Sequence, residues 1–169
     1  TQTDSGTPMG AFMRRFWTPF MLSREISEPD GAPVRVRVLG ESLIAFRDTE
    51  GRVGLVDEFC PHRRVSLFFG RNEACGIRCV YHGWKFDVDG NCLDLPSEPA
   101  DSNFKDKISL KAYPVQEKAG VIWAYMGPKE LKGELPQLEW MDVPDDYIYQ
   151  SRWYQESNYA QAVEGEIDS

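Results

Sequence analysis

The two histidines of this chain constrain its fold more than any other feature, because each of them lies beside a cysteine. One pair is Cys60-x-His62 and the other is Cys79-x-x-His82, with sixteen residues between His62 and Cys79. Thiolate sulfur and imidazole nitrogen are both metal ligands. A chain with two histidines and four cysteines rarely places both histidines in this way by accident. The spacing therefore predicts a metal centre held by two loops, in preference to two disulfides.

Two kinds of metal centre accept two cysteines and two histidines. In a Rieske-type [2Fe–2S] cluster two cysteines hold one iron and two histidines hold the other, so two loops with one ligand of each kind can bind it from both sides. Zinc also accepts two cysteines with two histidines, but usually takes like ligands in pairs. Without a metal, the residues would be buried cysteines and hydrogen-bonded core histidines, an interpretation that explains one cysteine–histidine pair but hardly both. We therefore expect Cys60, His62, Cys79 and His82 to bind a [2Fe–2S] cluster that passes single electrons.

Charge is distributed unevenly along the chain, whose formal net charge is −8. The acidic total argues against nucleic acid as a partner. Residues 60–85 are nevertheless basic, with one acid, Glu73, and five bases: Arg63, Arg64, Arg71, Arg78 and Lys85. This basic segment coincides with the ligand pairs, so it steers an acidic redox partner, offsets cluster charge, or is ordinary solvated surface.

The length of 169 residues is enough for one packed domain with some additional structure. The longest apolar runs span only a few residues, so no stretch is expected to cross a membrane. No signal-peptide cleavage pattern follows the apolar stretch around Arg14 and Arg15, which predicts a cytoplasmic protein.

Most of the predicted elements are strands. Thr7 and Pro8 predict the start of a short helix, which we expect to end at residues 17–19. Apolar periodicity and turn residues then predict strands at 34–38, 43–46, 53–56, 77–80, 84–86, 92–95, 115–117 and 121–126. Prolines, glycine and charges at 127–144 predict a linker. A further strand is predicted at 147–154, followed by a helix capped by Asn158 and Gln161.

The ligand pairs lie within longer motifs that resemble a known family. Residues 60–63 (CPHR), 79–87 (CVYHGWKFD) and 95–98 (LPSE), together with 8–17, resemble the Rieske domain of aromatic-ring-hydroxylating oxygenase large subunits, in the phthalate dioxygenase-like subgroup. The resemblance implies a mostly β fold of antiparallel sheets with a two-loop cluster-binding subdomain, a short N-terminal helix and the start of an α+β catalytic domain. The implied division is an N-terminal helical lead (1–32), a Rieske domain (33–127), a linker (128–146) and the beginning of a truncated catalytic domain (147–169).

The residues around the ligands distinguish this resemblance from respiratory Rieske proteins. Those proteins carry a disulfide-forming cysteine in each cluster loop, where this chain has Val65 and Tyr81. They also have hydroxyl donors after the second His-Gly, where this chain has Trp84 and Phe86. Because fewer donors stabilise the reduced cluster less, we expect a reduction potential near the lower limit of the Rieske range.

Residues 158–168 resemble the family motif Asn-x-x-Gln-x-x-Glu-Gly-x-x-Asp, which opens the catalytic domain. The resemblance implies that Asp168 bridges electron transfer between His82 of a neighbouring subunit, in a homotrimer, and a histidine of a mononuclear Fe(II) site. From the residues alone, the same stretch is the polar face of a short helix. The first histidine of that iron site would fall two positions after Ser169, so the Fe(II) would lie in a missing remainder of the catalytic domain.

The implied function is the electron-transfer part of an aromatic-ring oxygenase, which is a dioxygenase, monooxygenase or O-demethylase of aromatic catabolism. An NAD(P)H-dependent flavin or iron–sulfur reductase would supply the electrons, and the full enzyme would use O2 and an aromatic substrate. The alternative is a self-contained Rieske-type ferredoxin, which would have little use for residues 147–168. Cys75 and Cys92 match no ligand position. We interpret them as packing residues, with a redox disulfide as the alternative.

Overall fold

The computed structural model describes residues 1–99 and 101–168 and consists mainly of short antiparallel strands. The two α-helices are α1 (Pro8–Met13) and α2 (Tyr159–Ile167). The strands are β1 (Trp17–Leu22), β2 (Val34–Val38), β3 (Glu41–Arg47), β4 (Val53–Asp57), β5 (Arg71–Glu73), β6 (Gly76–Arg78), β7 (Lys85–Phe86), β8 (Cys92–Asp94), β9 (Val115–Lys118) and β10 (Val121–Tyr125). Short 3-10 turns occur at Ser23–Ile26, Leu67–Phe69, Phe104–Lys107, Lys129–Leu131, Glu139–Asp142 and Asp145–Tyr147.

The strands form three sheets, in each of which neighbouring strands are antiparallel. The first sheet has the order β1-β10-β9, and the second has the order β2-β3-β4. The third sheet, β5-β6-β7-β8, is a four-stranded meander inserted between β4 and β9. The predicted mostly β class is confirmed.

Strand β3 joins two hydrophobic cores, because both of its faces are buried. Ile44 and Phe46 pack into the core that contains the third sheet. Leu43 and Ala45 point to the opposite face, in the core shared by the first and second sheets. Successive side chains of a strand alternate between faces, so four consecutive apolar residues are what a strand covered on both sides requires. The third sheet is thereby anchored to the rest of the protein.

The N-terminal helix begins where the sequence predicts, but the prediction for the segment after it is wrong. The Thr7 side chain caps α1 by accepting a hydrogen bond from the Gly10 N–H at 3.0 Å. The residues expected only to end the helix instead begin β1. Pro19 fits there because β1 is an edge strand, and an edge strand can contain a residue without an N–H group. The register shifts between Pro19 and Met21.

The strand predicted at 147–154 is not present. The chain there makes a 3-10 turn at Asp145–Tyr147 and then continues without regular structure. Its aromatic residues have high strand propensity, but a strand also needs a neighbouring strand to accept its hydrogen bonds. Side chains such as those of Tyr149 and Trp153 are exposed. The predicted linker, by contrast, is partly packed, since Leu135 and Met141 are buried beside Trp17.

The predicted helix at the C-terminal end is confirmed as α2. Asn158 caps it by accepting a hydrogen bond from the Ala160 N–H at 3.0 Å. None of the residues of α2 is buried against the described part of the chain. No helix within residues 1–99 and 101–168 is long and apolar enough to span a membrane.

We expect Leu55→Ala to destabilise the fold, because the side chain of Leu55 is fully buried in the core shared by two sheets. Truncating a buried leucine costs about 2–5 kcal/mol of unfolding free energy. Arg37→Ala on the exposed face of β2 is the matched control and should change that free energy by less than about 0.5 kcal/mol. Urea unfolding followed by tryptophan fluorescence measures both, and equal effects would contradict the assignment of the core.

Candidate metal centre

The two cysteine–histidine pairs lie in loop 1 (residues 58–66) and loop 2 (residues 79–84), which repeat one backbone pattern. In loop 1 the Cys60 N–H donates to the Val65 carbonyl at 3.0 Å. In loop 2 the Cys79 N–H donates to the Trp84 carbonyl at 2.8 Å, again five residues further on. Each cysteine is thus the first residue of a hydrogen-bonded turn, and the histidine lies within that turn.

A left-handed residue closes each turn. Arg64 has a φ of 57° and donates its N–H to the Cys60 carbonyl at 2.9 Å. Gly83 has a φ of 74° and donates to the Cys79 carbonyl at 3.0 Å. A Cβ atom at Gly83 would also lie only 3.0 Å from the Pro96 side chain, which would have to shift by a few tenths of an ångström, so glycine is favoured there mainly for its conformation.

The two thiols are buried together. Cys60 is 1% exposed and Cys79 is 4% exposed. Burial raises the pKa of the Cys60 thiol to about 11, and the adjacent Cys79 thiol acts in the same direction. A thiolate in this position therefore needs a positive charge beside it, which a bound metal ion supplies.

The two imidazoles lie next to each other, further toward the surface than the thiols. The rings of His62 and His82 have centroids 4.4 Å apart and are tilted by 59°. His62 is half-buried and His82 is exposed. The Nδ1 atom of His62 is buried without a hydrogen-bond partner. Partial burial lowers the pKa of His62, as do electrostatic interactions with the neighbouring His82 and Arg63 side chains, which favours the neutral imidazole that ligates metals.

This donor set fits a two-iron cluster better than a single ion. A tetrahedral zinc site with bonds of about 2.0–2.3 Å brings its ligand atoms within about 4 Å of one another. Among the residues that the structure describes, no three of Cys60, His62, Cys79 and His82 bring their ligand atoms within 4.8 Å of one another. Two buried thiols and two outer imidazoles instead match the cysteine-ligated iron and the histidine-ligated iron of a Rieske cluster.

A buried carboxylate supports loop 1. Glu58 accepts a hydrogen bond from Arg35 at 2.8 Å and another from the Ser66 hydroxyl at 2.7 Å. Burial opposes the charge of Glu58, but the hydrogen bonds from Ser66 and Arg35 outweigh it and lower the pKa of the carboxyl. Arg35 also stacks on Phe68, with its guanidinium carbon 4.0 Å from the ring centroid. Loop 1 is therefore anchored to β2.

An arginine beside the candidate ligand Cys79 supports loop 2. Arg78 donates to the Gly83 carbonyl at 2.7 Å, to Asp94 at 2.8 Å and to Glu73 at 2.7 Å. One guanidinium thus connects loop 2 to β5 and β8. These three bonds use the planar fork of donors on an arginine guanidinium, whereas the three donors of a lysine diverge from a single nitrogen.

Two of the five bases near the ligands have an internal structural role. Arg78 is paired as described, and Lys85 is buried and donates to the Ala74 carbonyl at 2.6 Å. Arg63, Arg64 and Arg71 are exposed. The exposed surface of this segment is therefore less basic than its sequence indicates.

The aromatic residues around the ligands separate into covered and exposed ones. Trp84 is buried and stacks on His62, whereas Tyr81 is exposed and lies beside His82. Phe86 is fully buried in the same core.

The proposed bridging carboxylate lies elsewhere in the chain. Asp168 follows the last residue of α2 and is exposed.

The remaining two cysteines have different environments. Cys92 is partly buried and packs against the core of the third sheet, as expected. Cys75 instead occupies the turn between β5 and β6 with a φ of 64°. Both are free thiols.

Sequence reasoning identifies the four ligand candidates but misses the residues that support them. Glu58 stands two residues before Cys60 and Arg78 directly precedes Cys79, and neither belongs to a motif of its own. The only available signal is their charge beside an otherwise apolar segment, and many solvated residues give the same signal.

Comparison with known proteins identifies relatives along almost the whole chain. The family described as Rieske [2Fe-2S] domain matches residues 16–114. The phthalate 4,5-dioxygenase oxygenase subunit of Pseudomonas putida is 51% identical over 170 residues, which covers 99% of this chain. The 3-chlorobenzoate-3,4-dioxygenase oxygenase subunit of Comamonas testosteroni is 49% identical over 164 residues, or 97% of this chain.

A solved structure of dicamba monooxygenase with non-heme iron and dicamba superimposes with a TM-score of 0.66 and 26% identity over 75% of this chain. The chain spans 38% of the length of each of these two relatives and 38% of the dicamba monooxygenase chain. These relatives are oxygenases or oxygenase subunits rather than independent ferredoxins.

Replacing Cys79 by Ser should abolish the visible absorbance of the purified protein, because the buried thiolate is needed to hold iron. Cys92→Ser is the control, since Cys92 packs beside the same core without lying in either ligand loop. Absorbance spectra and iron content measure both variants. A Cys79→Ser protein with normal absorbance would show that the ligand assignment is wrong.

We expect Arg78→Ala to weaken retention of iron, because it removes the three hydrogen bonds that hold loop 2. Loss of groups that orient metal ligands typically costs about 10–100-fold in metal affinity. Arg71→Ala removes an exposed arginine that pairs with the same Glu73 and should have little effect. The rate at which a chelator bleaches the visible absorbance distinguishes the two, and equal rates would contradict the role of Arg78.

Proposed function

The chain belongs to the Rieske [2Fe–2S] domain family, and from that premise we propose that it is the electron-transfer part of a Rieske oxygenase. The observation that carries this proposal is the arrangement of the four ligand candidates. The thiols of Cys60 and Cys79 are buried, and the imidazole of His82 faces the surface.

In this proposal Cys60 and Cys79 hold one iron, and His62 and His82 hold the other. The bound cluster supplies reversible storage of one electron at a time. The protein keeps the sulfur side of the site dry and leaves an imidazole edge open to a partner. His82 is therefore the side chain through which an electron leaves most directly.

The destination of the electron is proposed from the relatives. Their names describe oxygenase subunits that act on phthalate and 3-chlorobenzoate, and one structure is named as holding non-heme iron. We propose that a mononuclear Fe(II), held by residues that this chain does not contain, receives the electron and serves the oxidation of an aromatic substrate by O2. An NAD(P)H-dependent flavin or iron–sulfur reductase would supply the electrons.

Asp168 is proposed as the bridging carboxylate between subunits of a homotrimer. It is exposed at the end of α2, a helix that buries no residue against the described chain. Glu164, Glu166 and Asp168 make this end acidic. A neighbouring subunit with an exposed His82 and exposed arginines in loop 1 would be complementary to it.

The division into a helical lead, a Rieske domain, a linker and the start of a catalytic domain remains part of the proposal, as does a cytoplasmic location. The alternative of an independent ferredoxin has less support, since it explains neither the exposed helix α2 nor the similarity to oxygenase subunits over almost the whole chain.

The test of this function is the reduction potential of the protein with its cluster bound. Trp84 and Phe86 stand where hydroxyl donors would stabilise the reduced state, and both are buried without a hydroxyl to offer. We expect a midpoint of roughly −150 mV, near the lower limit of Rieske centres. Titration followed by absorbance or electron paramagnetic resonance measures it, and a midpoint above zero would overturn the proposal of an oxygenase-type centre.

The midpoint should also fall as the pH rises. An added electron makes the cluster more negative, so a ligand imidazole binds its proton more tightly in the reduced state than in the oxidised state. Reduction is then coupled to proton uptake, and high pH disfavours it. A midpoint that does not change between about pH 6 and pH 10 would contradict imidazole ligation.

A further inference from the structure

The two candidate imidazole ligands differ in how the chain covers them. The ring of Trp84 lies flat on the ring of His62, with centroids 4.4 Å apart and planes only 5° apart. The other imidazole, His82, has Tyr81 beside it at a centroid distance of 3.8 Å, but Tyr81 is itself 58% exposed. One imidazole therefore lies under a buried ring, and the other lies at the surface.

The covering ring is firmly held. Trp84 is 8% exposed and belongs to the hydrophobic core that also contains both thiols. Its carbonyl accepts the hydrogen bond from the Cys79 N–H that closes loop 2. The ring of Phe104 packs edge-on against the indole, with centroids 6.4 Å apart at 79°. The backbone of Trp84 is therefore fixed by loop 2, and its indole is packed against Phe104 and within the core.

The contact also crosses between the two loops. Trp84 comes from loop 2, whereas His62 comes from loop 1. A flat aromatic contact excludes water from one face of the imidazole and restricts rotation of its ring. The buried Nδ1 of His62 has no hydrogen-bond partner, so it is free to ligate the metal while Trp84 covers one face of the ring.

We propose that Trp84 makes the two imidazole ligands inequivalent. It keeps His62 covered and fixed in orientation, so that His82 is the imidazole through which the bound cluster meets solvent and partners. This inference rests on the proposed function. Trp84 is a positioning residue, because it acts through His62 and does not itself ligate the metal.

The chain offers a direct test, since it contains two histidines and no others. Diethyl pyrocarbonate modifies free imidazole nitrogens, and peptide mass spectrometry assigns each product to His62 or His82. In the cluster-loaded monomer, isolated by gel filtration, His82 should react much faster than His62. In Trp84→Leu the ratio of the two rates should fall toward one, whereas Trp84→Phe should keep the inequality because a flat ring remains.

Trp123→Leu is the matched control. Trp123 is 7% exposed, and its indole nitrogen is buried without a partner, as that of Trp84 is, but it lies in a different core beside Trp17. The same chemical change there should leave the ratio of rates unaltered. The electron paramagnetic resonance spectrum of the reduced cluster is a second measurement, and its g values should shift in Trp84→Leu and not in Trp123→Leu.

Phe104→Leu serves as a further variant if Trp84→Leu does not retain the cluster, because it removes only the edge contact that holds the indole. It should lower the ratio of rates by a smaller amount. Equal reactivity of the two histidines in the unmodified sequence would overturn the inference. So would an unchanged ratio in the Trp84 and Phe104 variants, or an equal change in Trp123→Leu.

The proposed function fails by a different result. A protein that binds no cluster, or binds one with a midpoint above zero, contradicts the function. The ratio of rates is measured only on molecules whose absorbance shows that the cluster is bound.

Discussion

The burial of two thiols beside each other is the constraint on which the rest of this structure depends. Cys60 and Cys79 are almost inaccessible to water, and burial together with the adjacent Cys79 thiol raises the pKa of the Cys60 thiol to about 11. The neighbouring His62 nitrogen is buried without a hydrogen bond. Such an arrangement is costly in a protein core unless a positively charged group binds all of these atoms. A metal cluster supplies that charge, and the geometry of the two loops suits it.

The rigidity of the site comes from outside the ligand loops. Strand β3 is buried on both faces, and Phe46 on one of those faces packs into the same core as the two thiols. Glu58 connects loop 1 to β2, and Arg78 connects loop 2 to β5 and β8. An electron-transfer centre benefits from such a scaffold, because the ligands need less reorganisation when the surrounding groups are already fixed.

The same architecture makes the site asymmetric. The two loops share a hydrogen-bonding pattern and a left-handed closing residue, at Arg64 and at Gly83. Their side chains nevertheless differ, since the residue after Gly83 is a tryptophan that extends over His62. A nearly symmetric backbone thus carries one covered and one open imidazole. In the proposed electron carrier, this difference would favour His82 over His62 as the contact with a partner.

Several elements can be predicted because their signals are local. The cap at Thr7, the cap at Asn158 and the alternating pattern of β2 all lie where the sequence indicates. The strand predicted at 147–154 is absent because propensity does not supply a neighbouring strand. Strand β1 escapes prediction because Pro19 is typical of a strand interruption, and only the topology shows that it lies at a sheet edge.

The sequence by itself determined which side chains are the candidate metal ligands, because ligand chemistry depends on residue type and on spacing along the chain. It also determined the mostly β class, through the period of its apolar residues. Only the tertiary structure decided which of the five nearby bases are internal supports, as Arg78 and Lys85 are, and which imidazole is covered. Those properties depend on contacts between segments that meet only in the folded chain, such as Arg78 with Asp94 and Trp84 with His62, and no local pattern records them.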